Sequence, residues 1–195
     1  GVDSLTVYFY PSSPGIKSAT VTIINNDLTE GVFNFSIQGT GTLPKLAYIT
    51  HSSANTVGVY DINSYTHLQD INVGAYPNGL ALNPSKNKLY VTNSNANTVS
   101  VINTFSNQVI ASVAVGNNPV GVCVSPNGNK IYVANKNSNT ISVIDALTNS
   151  IVSTINVGTA PTGICILPDS SKVYVTNNGS NTISIINTTT NSVTA

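Results

Sequence analysis

A unit of 42 residues recurs along most of this chain, and no other feature constrains the fold as strongly. Tyr48, Tyr90, Tyr132 and Tyr174 stand 42 residues apart and open the segments YITH, YVTN, YVAN and YVTN. Asn55, Asn97, Asn139 and Asn181 keep the same register, each followed by Thr. So do Gly74, Gly116 and Gly158, then Pro77, Pro119 and Pro161, then Gly79, Gly121 and Gly163. A fixed period of this length means stacked supersecondary units, each too small to bury its apolar face alone.

Each copy reads as four short strands. In one copy these are GLALN, KLYVTN, TVSVIN and QVIASVAVG, with the turns PSKNK and SNANT between the first three. Thr140, Ser142 and Ile144 alternate with Ile141, Val143 and Asp145, a period of two that indicates strand. Frequent β-branched residues, with Asn and Gly every few positions, disfavour helix. Four antiparallel strands in 40–45 residues is the unit of a β-propeller blade. Residues 46–73 supply three strands of a first blade, 77–116 and 119–158 two complete blades, and 161–195 a fourth that stops at the start of its outer strand. The expected fold is all-β: a partial β-propeller, an open arc of nearly four blades rather than a closed four-blade ring.

The repeated residues are expected to do structural work. Gly74, Gly116 and Gly158 supply backbone freedom for leaving one blade, and Pro77, Pro119 and Pro161 set φ as the next strand begins. Gly121 and Gly163 sit in those next strands. Asn127-Gly128 is a tight-hairpin dipeptide, with Asp169-Ser170 in its place one copy later. Asn97, Asn139 and Asn181 close turns through side-chain hydrogen bonds. Tyr48, Tyr90, Tyr132 and Tyr174 pack between blades, their hydroxyls reaching solvent or a backbone carbonyl. Little is left over for catalysis.

The reactive residue types fall largely into the repeat's own register. His51 occupies the position of Asn93, Asn135 and Asn177, which places it in a turn, and His67 stands where other copies have Val109, Ile151 and Val193, which reads as drift on an outer strand. Asp61 and Asp145 alternate with Asn103 and Asn187, an interchange that suits a turn acceptor better than a titrating carboxylate. Cys123 and Cys165 share one position on an innermost strand and read as small apolar filler; a disulfide between blades would demand a close Cα approach. Lys88, Lys130 and Lys172 are hairpin lysines that discourage sheet-edge association. The sequons at Asn34, Asn178 and Asn187 carry little weight in a chain with 28 Asn. No catalytic residue, cofactor or metal site is assigned.

Composition removes other classes. Only 7% of residues are charged, with no Arg and a formal net charge of zero, so the basic footprint of a nucleic-acid binder is missing. No run of 18 apolar residues could span a membrane.

With YVTNSNANTVSVIN, YVTNNGSNTISIIN and the VGxxPxG links in view, residues 48–195 resemble the YVTN family of β-propeller repeats. That resemblance implies an extracellular or cell-surface location and a structural or interaction role with protein or glycan partners. Binding would use the loops SNANT, KNSNT and NGSNT, or the loops VGAYPNG, VGNNPVG and VGTAPTG, which would line a central opening. Residues 1–42 fall outside the repeat. Their order FYPSSPG, SATVTIINND and FSIQGTGT resembles the C-terminal strands of ASH-type immunoglobulin-like domains, with residues 41–45 as linker. The chain has no Met and opens inside a strand-like pattern, so it reads as a piece of a longer polypeptide. The alternative is part of a propeller enzyme (lactonase-like, lyase-like or quinone-linked dehydrogenase) with its site residues mostly elsewhere.

Overall fold

The computed structural model describes the backbone of residues 15–24 and 32–41, and residues 45–195 in full. Every regular element described is a strand. β1 (Gly15–Ile24) and β2 (Val32–Gly41) form an antiparallel pair, running from Gly15 opposite Gly41 to Ile24 opposite Val32. The strand expected over residues 4–10 and most of the linker expected at 41–45 lie outside the described residues. The hairpin falls in one compact unit together with Leu46 and Asp61–Tyr65, and the remaining blade residues form a second.

Four sheets follow in sequence order. Blade 1 has three strands: β3 (Leu46–His51), β4 (Thr56–Asp61) and β5 (Thr66–Asn72). Blade 2 has four: β6 (Pro77–Leu82), β7 (Lys88–Asn93), β8 (Thr98–Asn103) and β9 (Gln108–Ala114). Blade 3 repeats them as β10 (Pro119–Val124), β11 (Lys130–Asn135), β12 (Thr140–Asp145) and β13 (Ser150–Asn156). Blade 4 has β14 (Pro161–Ile166), β15 (Lys172–Asn177), β16 (Thr182–Asn187) and a short β17 (Ser192–Val193). All pairings with a defined register are antiparallel between neighbours, such as Tyr132 opposite Val143 and Cys123. The result is an open, partial propeller.

The apolar core lies between the blades. One cluster joins Tyr90, Val99, Val101 and Val113 of blade 2 to Ile131, Val133 and Ile144 of blade 3. The next joins Tyr132, Ala134, Ile141, Val143 and Ile155 of blade 3 to Val173, Val175 and Ile186 of blade 4. Each blade therefore has a front face toward its successor and a back face toward its predecessor. The period of two sorts residues between these faces, and both are buried in the middle blades. A fully buried Ile or Val contributes about 1.5–3 kcal/mol, so these seams dominate stability.

The back face buries polar groups that are partly paired: the Nδ2 groups of Asn93, Asn135 and Asn177 find hydroxyl acceptors, while their Oδ1 atoms are buried without a partner. Asn135 Nδ2 donates to Thr140 Oγ1 at 3.1 Å and to Ser142 Oγ at 2.9 Å, and Asn93 and Asn177 repeat the pattern. These asparagines are buried strand ends. Gly74, Gly116 and Gly158 are glycine because of them: an added Cβ at Gly116 would lie 2.7 Å from Asn135 Cγ. That replaces the expected role in backbone freedom, since Gly128 alone among the described glycines has a left-handed φ, at 76°. Gly79 and Gly121 mark where innermost strands abut. A Cβ on Gly121 would sit 2.3 Å from the Thr162 carbonyl oxygen of the next blade.

Replacing Gly121 by Ala is expected to cost about 1–3 kcal/mol in urea unfolding, because a backbone carbonyl must move. Gly163→Ala meets only the hydroxyl end of Thr176 at 2.8 Å. It should cost clearly less, and equal losses would refute the close-approach account.

Candidate functional site

Strand direction gathers two sets of loops onto one rim. The turns after β3, β7, β11 and β15 lie beside the links that enter β6, β10 and β14. Ser94 N donates to Tyr76 O at 2.9 Å, and Asn95 N to Ala75 O at 3.1 Å. Lys136 and Asn137 repeat this on Asn118 and Asn117, and Asn178 and Gly179 on Ala160 and Thr159. The turn asparagines lock the arrangement. Asn97 holds a φ of 56°, which Asn tolerates better than most residues, and its Oδ1 accepts from Asn118 N at 2.9 Å. Asn55 and Asn139 do the same for Tyr76 and Ala160. The two loop groups, separate in the sequence reading, are thus one surface. Its exposed residues include Tyr76, Asn95, Asn117, Asn137, Thr159 and Asn178.

The opposite end carries staples between blades. Lys88 Nζ donates to the Ala146 carbonyl at 2.7 Å, and Lys130 Nζ to the Thr188 carbonyl at 2.9 Å, each in the following blade. Tyr48 OH donates to Asn107 Oδ1 at 3.1 Å, also one blade on. One and two repeats later, Tyr90 OH with Asn149 Oδ1, and Tyr132 OH with Asn191 Oδ1, are buried without a hydrogen-bond partner. Those two hydroxyls therefore reach neither solvent nor a carbonyl, contrary to expectation. Burial, followed by the charge of Cys123, pushes the Tyr132 hydroxyl up to about 12. Tyr174, with no following blade over it, is half-buried.

The acidic positions behave as turn acceptors. Asp145 Oδ1 receives the N–H groups of Thr148 at 2.8 Å and Leu147 at 2.9 Å, and Asn103 and Asn187 hold equivalent turns. The Thr148 N–H and then its hydroxyl hold the Asp145 carboxyl below the usual carboxylate range. Pro77, Pro119 and Pro161 are buried at the starts of the inner strands. Ser94 Oγ donates to the Pro119 carbonyl at 2.7 Å.

Blade 1 departs from the repeat in one place. His51 ends β3 on the back face rather than lying in a turn. Its Nε2 is 3.2 Å from Tyr60 OH, and its Nδ1 lies 3.3 Å from Thr56 Oγ1 and 3.5 Å from Asp70 Oδ1. His67 Nε2 meets the same Asp70 oxygen at 3.2 Å, and its ring lies 5.0 Å from that of Tyr60. Gly58 makes room: an added Cβ would be 2.6 Å from His51 Cε1. The other blades have Asn, Ser and Ile at the positions of His51, Gly58 and Tyr60. The three differences meet in one cluster, whereas the sequence reading places His51 in a turn and takes only His67 as drift. Among the described residues, no three His, Cys, Asp or Glu side chains are arranged to hold a metal ion.

A sequence profile described as YNCE-like beta-propeller matches residues 38–172. The chain belongs to this family. The YNCE-like chain is also similar to solved structures. One is Kuenenia stuttgartiensis hydrazine synthase, at 27% identity and a TM-score of 0.74, covering 77% of this chain and 45% of that one. Another is a functionally unknown protein from Desulfotomaculum acetoxidans DSM 771, at 19% identity and a TM-score of 0.61, covering 86% and 58%. The second likeness speaks to fold alone. The chain spans about half the length of these structures. No curated protein matches it significantly.

Two measurements test the local chemistry of this YNCE-like propeller. Gly58→Ser should destabilise blade 1 by about 1–3 kcal/mol through overpacking, while His51→Asn with Gly58→Ser should recover most of the loss by restoring the Asn–Ser pair of the other blades. Additive losses in denaturant melts would refute the coupling. Cys123 is packed against the core and pushed up to about 12 by burial and then by Cys165, whereas Cys165 is exposed. Iodoacetamide at pH 8 should therefore label Cys165 at least about tenfold faster. The Cys123 rate should rise about tenfold per pH unit below its titration; equal rates would contradict the burial.

Proposed function

We propose that this chain is a non-catalytic interaction scaffold of the YVTN type, working outside the cell or at its surface. The hairpin-bearing N-terminal segment would serve as an immunoglobulin-like spacer toward further domains. The observation that carries this reading is the rim. Repeated carboxamides and hydroxyls are held there by backbone hydrogen bonds, while the other registered residues stitch blades together. A neutral, donor- and acceptor-rich surface suits partners that are themselves uncharged and polar, such as glycan chains or polar protein loops. Specificity would come from the spacing of equivalent side chains rather than from charge.

One finding favours a second reading, in which the chain is the propeller portion of an enzyme. The likeness to hydrazine synthase is the support, and such a role would place the reacting groups outside the residues described.

The two readings separate in one experiment. The protein is titrated with neutral oligosaccharides from an array, following backbone amide shifts by NMR. Binding whose shifts map to residues 75–76, 95, 117, 137, 159 and 178, and which Asn117→Ala with Asn137→Ala weakens about tenfold or more, is the expected outcome. Saccharide binding whose shifts spare this rim would overturn the scaffold reading, and no binding across the array would leave polar protein loops as its partners.

A further inference from the structure

We propose that the outer corners of blades 2 and 3, at the end away from the rim, form a surface on which a second copy of this chain docks about a two-fold axis. The proposal is independent of what the rim binds. It concerns the two blades that have a neighbour on each side, so its residues are ones that blade stacking itself leaves outside.

A turn and an outer strand meet at each corner. Phe105, between β8 and β9, is 74% exposed, and Leu147, its counterpart between β12 and β13, is 88% exposed. Val109 and Ile110 follow the first, Ile151 and Val152 the second, and all four are exposed. The backbone accounts for this. Val101 pairs with Ala111 and Ile102 with Val109, so Ile110 is the extra residue of a bulge, and Val152 is the extra residue one repeat on. A bulge re-aims side chains that strict alternation would sort between two faces. None of the six belongs to the apolar cores between blades. The sequence also carries no charged residue over 104–129 or 146–168. Both corners therefore lack the charges that ordinarily keep exposed strands apart.

The same pair of corners, turned end for end, fits this surface. In a two-fold interface a patch meets its own copy, so a charge at its centre would face an identical charge; an uncharged centre has no such repulsion. The turn sets the blade 2 corner of one copy against the blade 3 corner of the other. Charges at the margins then oppose. Lys86 lies beside the blade 2 corner, its carbonyl accepting from Thr104 Oγ1 at 2.6 Å, and blade 3 has Gly128 at that position. Asp145 lies beside the blade 3 corner, its Oδ1 accepting from Leu147 N at 2.9 Å, and blade 2 has Asn103 there. Lys86 of each copy thus approaches Asp145 of the other. The six apolar residues expose on the order of 600 Å² per copy, so pairing would bury ~1,200 Å², the lower end for a specific interface. Association in the micromolar range follows. A lipid surface fits less well, because interfacial binders flank their apolar groups with free cations. Here Lys88 and Lys130 end on carbonyl oxygens, and Asp145 stands at the margin.

The test is sedimentation of the full chain from micromolar to millimolar concentration, where a reversible dimer is expected. Phe105→Asn with Leu147→Thr should weaken it at least about tenfold. Blades 1 and 4 carry Asn63 and Thr189 at this position, so the double variant should keep the parent's melting temperature in dilute solution. Lys86→Asp sets two carboxylates together and should weaken pairing at least about fivefold. A monomer throughout the range, or a dimer indifferent to either variant, would overturn the proposal. So would a monomer that binds phosphatidylcholine vesicles and loses that binding in the double variant, since the corners would then belong to lipid.

Discussion

The structure depends on sheet-to-sheet contact between successive blades. A single four-stranded blade buries little on its own, and its two faces become interior only when a neighbour stands on each side. Tyr132, Ile141 and Val143 leave water because Val173, Val175 and Ile186 arrive opposite them. Stability is therefore a property of pairs of repeats. Folding should reward contacts about 42 residues apart, which is modest loop closure for an all-β chain.

Around this apolar contact the molecule uses a few directional bonds to set angle and register. The threonine hydroxyl on an inner-strand carbonyl, the serine on the proline carbonyl and the lysine on a turn carbonyl act at different radii of the same seam. The glycine at the inner strand lets two backbones approach more closely than a Cβ would permit. Apolar packing alone would allow blades to slide; these bonds make one alignment preferable. Blade 3 has Ala134 and Lys136 where blade 2 has Thr92 and Ser94, and its seam relies more on packing.

Much of this was legible in the sequence. The period, the four-strand unit, the three strands of blade 1 and the short outer strand of blade 4 follow from register and β-strand pattern. The partners of individual residues did not. Alternation along TISVID separates two faces but does not say that both meet another sheet, so Ser142 and Asn135 could not be recognised as a buried pair. The glycines of the links were read as flexible because composition records a missing side chain, and only coordinates show the asparagine in its place. His51 was assigned to a turn because its counterparts are Asn, a common turn residue. Its link to Gly58 and Tyr60 crosses between strands and leaves no signal at a fixed spacing. The two loop families merged into one rim for the same reason: their contacts join the ends of different strands.

The scarcity of charge at the seams has an environmental consequence. Amide, hydroxyl and carbonyl groups carry no counterion atmosphere, and the lysine staples end on carbonyl oxygens rather than carboxylates. Interactions of this kind are screened little by dissolved ions, and moderate brine does not loosen them as it loosens paired opposite charges. A propeller held this way would keep its blades in register from nearly pure water to seawater.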